Sequence, residues 1–307
     1  MVLSLAETHN ELHPTALADA KFAELVEQKT DGRIKIEIYS NGSLYRSEIG
    51  CLWALKKGDI AFTRVSGLHF CASVPQSKIL MFPNVFKNSD HLKRVLNSEI
   101  GENILKSIET ADLGMIGLCF YDVGARSFFF KNEVSSIDDI VGKKIRVPFC
   151  DIVFDMTKML GAEPVKIFDP RQTYDAFIEG KIVGTENFIS IFGAQKWCGL
   201  TPYWVRDHHQ HIPDILLASQ QNLNQLSESD LKIIKECAKE AQEFEMKKWQ
   251  NYEFVVEKIL MDSGCKLIEF KESDILKIKK IKEEIYEKYA VGYEDVLKKI
   301  QQMETEN

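Results

Sequence analysis

The stretch Gly142-Lys-Lys-Ile-Arg-Val-Pro148 and the segments on either side of it indicate the fold of this chain. Its pattern predicts a short strand that carries Arg146 to its carboxyl end. The segment Gly-Ala-Arg, ending in Arg126, lies ahead of it, and Glu186-Asn187 follows in a similar strand-end position. Open α/β sheets place ligand sites at the carboxyl ends of their strands. We therefore expect two guanidinium groups and one amide to converge there.

Composition and length are ordinary for a globular protein of two domains. The chain has 307 residues, of which 45% are apolar and 28% are charged. Its formal net charge of −7 argues against nucleic acid as a partner, because phosphate binding usually needs a basic surface. No apolar run approaches the roughly 20 residues that a membrane-spanning helix needs.

Neither the amino terminus nor the cysteines settle the cellular compartment. Residues 1–7 lack a basic leader and a long apolar segment, which fits either a cytosolic protein or an exported one whose leader has been removed. The seven cysteines are scattered and form no Cys-x-x-Cys pair. Buried free thiols are the favoured interpretation, and a single disulfide among them remains open.

The order of predicted elements indicates two β/α units. Strands and helices alternate as β-α-β-α-β from residue 4 to residue 65, which predicts a parallel sheet with right-handed crossovers. A second unit of the same kind spans 124–209, and a long helix is predicted from Ser227 to Ser263. We expect lobe 1 to comprise 1–123 and about 210–250, and lobe 2 to comprise 124–209 and about 251–307, with a ligand cleft between them.

No catalytic motif is present in the sequence. It contains no nucleophile elbow, no Walker A motif, no Gly-x-Gly-x-x-Gly after a strand and no His-Glu-x-x-His. The cluster His208-His209-x-His211 lacks matching cysteine or carboxylate spacing, so we interpret these histidines as solvated loop residues. The sequence thus predicts no catalytic residue, no metal and no cofactor.

Arg126 and Arg146 lie in apolar strand contexts, where a charged group is costly unless it is paired. Two interpretations are equally open from the pattern alone. Either arginine could hold a ligand carboxylate bidentately, or it could form a structural salt bridge with one of the nearby acidic residues Asp122, Asp151 and Glu186. Asn187, taken alone, fits a helix cap better than a ligand contact.

With the motifs around them, these residues resemble the substrate-binding proteins of tripartite ATP-independent periplasmic (TRAP) transporters, the DctP-like family. Gly142 to Pro148 is the most specific signature of that family. The other matches occur in order along the chain: His13-Pro14, Gly32-Arg-Ile-Lys-Ile36, Asn41-Gly-Ser-Leu44, Lys57-Gly-Asp59, Gly161-Ala-x-Pro164, Tyr174-x-Ala-Phe-x-x-Gly180 and Glu186-Asn187.

The resemblance implies a fold, a function and roles for three residues. The fold is the two-lobed α/β periplasmic-binding-protein architecture, each lobe a sheet flanked by helices, with a long helix bridging both. Arg146 would form a salt bridge with the ligand carboxylate, Arg126 would be a second arginine in the site, and Asn187 would hydrogen-bond the same carboxylate. The family's usual Val-Asp-Gly-x-Glu-Asn is Val183-Gly-Thr-Glu-Asn187 here, which leaves the ligand's identity open.

We therefore expect a periplasmic receptor, not an enzyme, that captures a small organic acid and delivers it to a TRAP membrane permease. Its leader would have been removed, and we expect a monomer, with a dimer left open. Further pocket candidates, chosen with less support, are Glu11, His13, Arg64, Ser66, Phe149, Phe168 and Phe188. Arg64 could be a third cation for a dianion or a sulfonate, or else a surface arginine.

Two rival functions stay open. One is a carboxylate sensor that uses the same lobes. The other is an enzyme in which Cys150 or Cys119 is the nucleophile and His13 is its base.

Overall fold

Helices and strands alternate through most of the chain, and the computed structural model describes residues 1–167, 169–195 and 197–304. The strands are β1 (Val2–Ala6), β2 (Lys35–Tyr39), β3 (Phe62–Ser66), β4 (Met115–Tyr121), β5 (Ala125–Phe130), β6 (Lys144–Val147), β7 (Glu163–Lys166), β8 (Gly184–Phe188), β9 (Tyr203–His211), β10 (Asp214–Ser219) and β11 (Lys266–Ile268). The helices are α1 (Pro14–Lys29), α2 (Glu48–Lys57), α3 (Ser89–Leu96), α4 (Glu99–Thr110), α5 (Asp151–Met159), α6 (Pro170–Ile178), α7 (Ile189–Gln195), α8 (Gln220–Leu223), α9 (Glu228–Asp262), α10 (Glu272–Tyr289) and α11 (Glu294–Gln302).

The chain divides into two units, each made of three segments. Unit 1 comprises Met1–Ser77, Lys93–Asp122 and Pro213–Tyr252, and unit 2 comprises Lys78–Leu92, Val123–Ile212 and Glu253–Asn307. The segment 78–92, which the sequence analysis assigned to lobe 1, belongs to unit 2. Its Phe82 ring lies 4.9 Å from the ring of Tyr286, and the Asn84 amide donates to the His209 carbonyl at 2.9 Å.

Unit 1 contains a five-stranded sheet in the order β2-β1-β3-β10-β4. β1 runs parallel to both β2 and β3, which confirms the β-α-β-α-β prediction. The prediction of a parallel sheet is wrong for β10, which runs antiparallel between β3 and β4. β10 is remote in sequence from both neighbouring strands, so the local alternation of strands and helices could not predict its antiparallel pairing.

Local signals set the ends of the helices in unit 1. α1 begins directly after His13, whose side chain accepts from the Thr15 amide, and Pro14 occupies the first turn, where its missing donor costs nothing. α2 ends at Gly58, whose φ of +77° suits a residue without Cβ. Residues 97–98 separate α3 from α4.

Unit 2 contains a six-stranded sheet in the order β11-β9-β5-β8-β6-β7. β5 is antiparallel to both β8 and β9, whereas β6 is parallel to β7 and β8. In this register Arg126 pairs with Phe188, and Arg146 pairs with Thr185. The two predicted arginines therefore lie on the strands that flank β8, the strand that also carries Asn187.

The long helix α9 spans 35 residues, close to the predicted range of 227–263. Residues 228–252 belong to unit 1, and residues 253–262 belong to unit 2. Most of the stability of a helix this long comes from the packing of its buried face. In unit 1 that face includes Ile234, Ala238 and Ala241, which join the core cluster that contains Phe22 and Phe62.

One disulfide joins two of the seven cysteines. Cys198 and Cys265, with Cα atoms 5.7 Å apart, are bonded in unit 2. The other five are buried and lie outside this disulfide, as the favoured interpretation held, but that interpretation is wrong for this pair. Across the described parts of the chain, no helix combines the length and apolar character needed to span a membrane.

Candidate functional site

Arg146, near the end of β6, is a buried guanidinium with most of its hydrogen-bonding capacity unused. Its side chain is 8% exposed, and its Nε donates to the carbonyl of Ile167 at 2.8 Å. Within 1–167, 169–195 and 197–304, no carboxylate forms an ion pair with it, and its two Nη atoms make no hydrogen bond. Burial and the nearby charge of Arg126 together lower its pKa to about 10, although Glu186 opposes them. A buried cation in this state is poised for an anion.

Arg126, on β5, is paired differently. Its Nε donates to Glu186 Oε2 at 2.7 Å, and its Nη2 donates to Glu186 Oε1 at 2.8 Å, which makes a bidentate ion pair. The guanidinium also lies over the ring of Phe188, with 4.6 Å from Cζ to the ring centroid. The structural salt bridge that the sequence analysis left open is therefore present for Arg126. This arrangement fixes the plane of the Arg126 guanidinium beside Arg146.

His209 is a charged member of this site that the sequence analysis missed. We interpreted it as solvated, but it is 1% exposed and lies on β9. Its Nδ1 is 2.7 Å from Asp207 Oδ2, and its Nε2 is 3.4 Å from Glu186 Oε2. Burial acts to lower the pKa of His209, but the two carboxylates outweigh it and raise the pKa to about 9. The spacing Asp-x-His was the one signal in the sequence that could have revealed it.

The charges of this group leave one positive charge unbalanced at neutral pH. The cations are Arg126, Arg146 and protonated His209, whereas the carboxylates are Glu186 and Asp207. The Arg126 and His209 charges hold the pKa of Glu186 well below its usual range, although burial acts to raise it. One added carboxylate would neutralise the group.

The other ligand-binding candidates of unit 2 differ in how deeply they are buried. Asn187 is half-buried, and its Oδ1 accepts from the Phe188 amide at 2.9 Å. Phe188 is buried beneath the Arg126 guanidinium. Phe149 follows β6 and is 55% exposed. Phe168 lies outside the described residues.

Arg64 offers no donor to a ligand. It lies in unit 1, is 1% exposed, and uses all five N–H groups within the protein. Nε and Nη2 donate to Glu7, Nη1 donates to Glu48 and Asp214, and Nη2 also donates to Thr8 Oγ1. The interpretations of Arg64 as a third ligand cation and as a surface arginine are both wrong in this structure, because buried carboxylates surround it.

The other unit 1 candidates lie at or near the ends of β1 and β3. Ser66 donates its amide to Glu48 Oε2 at 3.1 Å, so it shares that carboxylate with Arg64. His13 is buried as the N-cap of α1, and its ring lies 5.2 Å from that of Tyr252. Glu11 is exposed in the turn before α1. The structure therefore brings Ser66 to Arg64, while Glu11 stays apart from them at the surface.

A cavity within unit 2 borders this group of charges but does not include its arginines. It is lined mostly by apolar side chains, among them Phe128, Met156 and Ile281, with Asp207, His209 and Lys282 contributing polar atoms. Arg126, Arg146 and Asn187 do not line it. Among the residues that the structure describes, no three His, Cys, Asp or Glu side chains are grouped closely enough to hold a metal ion.

A family model and curated relatives of this chain indicate the same family. Residues 5–291 match the family model of DctP, bacterial extracellular solute-binding protein, family 7. The uncharacterized protein YiiZ of Salmonella typhimurium is 30% identical over 250 residues, which are 81% of this chain and 75% of YiiZ. The C4-dicarboxylate-binding protein DctB of Bacillus subtilis is 29% identical over 233 residues, which are 75% of this chain and 65% of DctB.

Solved structures show the same fold over the whole chain. A TRAP periplasmic solute-binding protein from Pseudomonas putida F1, with bound D-glucuronate, has a TM-score of 0.93 at 27% identity and covers 100% of this chain and 99% of its own. One from Bradyrhizobium with bound galacturonate has a TM-score of 0.91 at 26% identity, covering 98% of this chain and 100% of its own. Since the family model spans nearly all of the sequence, this chain belongs to the DctP family of bacterial extracellular solute-binding proteins, family 7.

Proposed function

We propose that this protein is a receptor that binds a small organic acid through its carboxylate, with Arg146 as the main contact. The observation that carries this proposal is the state of Arg146: buried, charged, and bonded within the described residues through Nε only. The two Nη groups of a guanidinium match the two oxygens of a carboxylate, and a bidentate pair is among the strongest charge-assisted contacts. Arg126 and Asn187 are the supporting contacts in this proposal.

A ligand with one carboxylate fits the charges of the five side chains around Arg146 better than a dianion does. The group of Arg126, Arg146, His209, Glu186 and Asp207 has one positive charge to spare, and Arg64 has no donor free for a second anionic group. The relatives from Pseudomonas putida F1 and Citrobacter koseri were solved with D-glucuronate, at 27% and 25% identity. D-glucuronate is therefore the first ligand to test.

The same proposal covers location, partner and oligomeric state. We infer that the protein works in the periplasm after removal of a leader, as a monomer, and that it hands its ligand to a TRAP membrane permease. This inference is supported by membership of a family of extracellular solute-binding proteins and by the TRAP proteins that share its fold.

We infer further that the protein is a receptor and not a thiol enzyme. Cys119 and Cys150 are both buried. Burial raises the pKa of the Cys119 thiol well above its usual value, which disfavours the reactive thiolate.

Isothermal titration of wild type and Arg146→Ala tests the main contact. The ligands are D-glucuronate, D-galacturonate and succinate, with D-glucuronamide as the analogue that lacks a carboxylate. Removing one partner of a buried charge pair weakens binding by roughly 2–5 kcal/mol, so we expect the Arg146→Ala Kd to rise about 30-fold or more.

The matched control is Arg171→Ala in the same unit, because Arg171 is an exposed arginine paired with Asp169. We expect it to bind as wild type does. Equal affinity of wild type for the acid and its amide would refute the carboxylate contact. Equal affinity of the wild-type and Arg146→Ala proteins for the acid would refute the role of Arg146.

A further inference from the structure

The free side of strand β4 is covered by side chains of the long helix. Within the described parts of the chain, β4 is the last strand of the unit 1 sheet and pairs only with β10. The amide of Phe120, in β4, donates to Gln242 Oε1 at 2.9 Å. The amide of Asp122, directly after β4, donates to Glu245 Oε2 at 2.8 Å. Two side chains of α9 thus supply the acceptors that a neighbouring strand would supply, and the helix protects this sheet edge.

Gln242 and Glu245 reach β4 from one buried face of α9. Residues three apart on a helix lie on the same face, and these two are 4% and 0% exposed. Gln242 also donates through Nε2 to Asn97 Oδ1 at 2.7 Å, so both ends of its amide are bonded within unit 1. Glu245 differs, because its buried Oε1 has no hydrogen-bond partner among the residues that the structure describes.

The surroundings of Glu245 are acidic. The ionisable groups that face it from the elements packed against it are Asp122 after β4, Asp214 on β10, Asp19 on α1, and Cys119 and Tyr121 on β4. The nearby cation, Arg64 on β3, uses its five N–H groups on Glu7, Glu48, Asp214 and Thr8.

An ionised Glu245 would therefore be a buried charge without a counter-charge. No ion pair balances it within the part of the chain that the structure describes. An isolated carboxylate is costly to bury, and it takes up a proton instead. Burial and the neighbouring carboxylates hold the pKa of Glu245 well above its usual value, although the Asp122 amide opposes them.

We propose that Glu245 docks α9 on the edge of β4 as a neutral carboxylic acid, and that loss of its proton is a switch that loosens α9 from the sheet of unit 1. In the neutral form, Oε2 accepts from the Asp122 amide and no charge is buried. In the ionised form, the same side chain meets like charges from β10 and α1, which oppose docking. The switch lies in unit 1 and does not depend on the carboxylate contact proposed for Arg146.

The proton of Glu245 makes the docking of α9 depend on pH. In the unfolded chain a glutamic acid loses its proton at about pH 4, whereas the folded protein keeps the proton of Glu245 to a higher pH. Between these two values folding takes up one proton, so the equilibrium constant for folding falls about tenfold for each pH unit. The same linkage applies to any local opening that exposes Glu245. Docking should therefore weaken as the pH rises.

Three variants separate the proton of Glu245 from its side chain. Glu245→Gln keeps the size and the acceptor for the Asp122 amide, and it places an N–H donor where the acid has its O–H, but it cannot ionise. Glu245→Leu removes the acceptor as well as the acid. The control is Glu243→Gln, because Glu243 is exposed two residues away on the same helix.

Urea unfolding of wild type and the three variants from pH 5 to pH 9 measures the linkage. Relative to wild type, the folding equilibrium constant of Glu245→Gln should rise about tenfold for each pH unit while the native acid holds its proton. Glu243→Gln should follow wild type. Glu245→Leu should have a folding equilibrium constant about 5-fold to 150-fold below that of Glu245→Gln, the effect of leaving the buried Asp122 amide without its acceptor.

Three outcomes of the urea experiment would overturn the proposal. A ratio between Glu245→Gln and wild type that does not change with pH would exclude the neutral acid. A Glu245→Gln protein that does not fold would show that the ionised group is required. Equal stability of Glu245→Leu and Glu245→Gln would remove the docking role.

Infrared difference spectra and hydrogen exchange test the two halves of the proposal separately. At pH 6 the difference between wild type and Glu245→Gln should contain the C=O band of a protonated carboxyl, whereas the difference for Glu243→Gln should contain carboxylate bands. At pH 9 the amides of β4 and of residues 228–252 should exchange faster in wild type than in Glu245→Gln, with a much smaller difference at pH 5. Carboxylate bands from Glu245 would refute the neutral acid, and equal exchange at both pH values would refute the switch.

Discussion

Replacing Arg64 by methionine should destabilise unit 1 severely, because Arg64 compensates two buried carboxylates and one half-buried carboxylate. Methionine keeps an apolar stem of similar length but leaves Glu7, Glu48 and Asp214 without their shared cation. Removing one partner of a buried ion pair typically costs about 3–5 kcal/mol, since an uncompensated charge stays behind. We expect a loss of that order in the free energy of unfolding at pH 8.

The loss of unfolding free energy in Arg64→Met should be smaller at lower pH, because the carboxylates become protonated. In wild type, burial acts to raise the pKa of Glu7 and Glu48, but Arg64 outweighs burial and both values lie well below the usual range. The ionised Glu7 and Glu48 therefore stabilise the folded protein above their pKa values in the unfolded chain. This stabilisation is lost as the pH falls from those values toward the lower folded pKa values. Without Arg64, burial is opposed only by the contacts of Glu7 with His9 and of Glu48 with His69 and Ser66, so both folded pKa values rise and the carboxylates stabilise the variant less as the pH increases. Each pKa unit is worth about 1.4 kcal/mol.

Urea unfolding at pH 5 and pH 8 measures both effects, and hydrogen exchange of peptides from β1 and β3 locates them. The control is Arg33→Met in unit 1, because Arg33 is 56% exposed and its partner Asp230 keeps the Ser227 hydroxyl as a second donor. An ion pair with one exposed partner is screened by water and contributes roughly 0–1 kcal/mol. A loss for Arg64→Met no greater than that of Arg33→Met would refute the compensating role. So would a loss that is the same at both pH values.

Two other predictions concern stability. Burial raises the pKa of Asp214 to about 7 despite Arg64, so wild type should lose stability as the pH rises from 4 to 7. Asp214→Asn should flatten this slope in urea unfolding, and an unchanged slope would assign it to other groups. The disulfide Cys198–Cys265 closes a loop of 67 residues; the double substitution to serine should lower the unfolding free energy by about 4 kcal/mol. Dithiothreitol should reproduce that loss in wild type and leave the double variant unchanged, and equal sensitivity of both proteins would contradict the bond.

Elements whose signals are local could be predicted from the sequence. Pro14 after His13 and the left-handed Gly58 mark the ends of helices, because capping and φ preferences act within a few residues. The alternation of strands and helices in residues 4–65 predicts the parallel pairing of β1 with β2 and β3. Because Arg126 and Arg146 lie in apolar strands, each could be predicted to pair with a carboxylate or to bind a ligand. Their roles toward a ligand remain predictions.

The sequence by itself therefore determined most helices, most strands and the family, whereas the tertiary structure alone decided the partners of the buried charges. Arg64 meets carboxylates from positions 7, 48 and 214, which no local pattern connects. His209 enters the site only because β9 pairs with β5 through a bulge. The physical reason is that a side chain's charge state depends on burial and on neighbours that long-range pairing brings together. Local propensity does not encode that pairing.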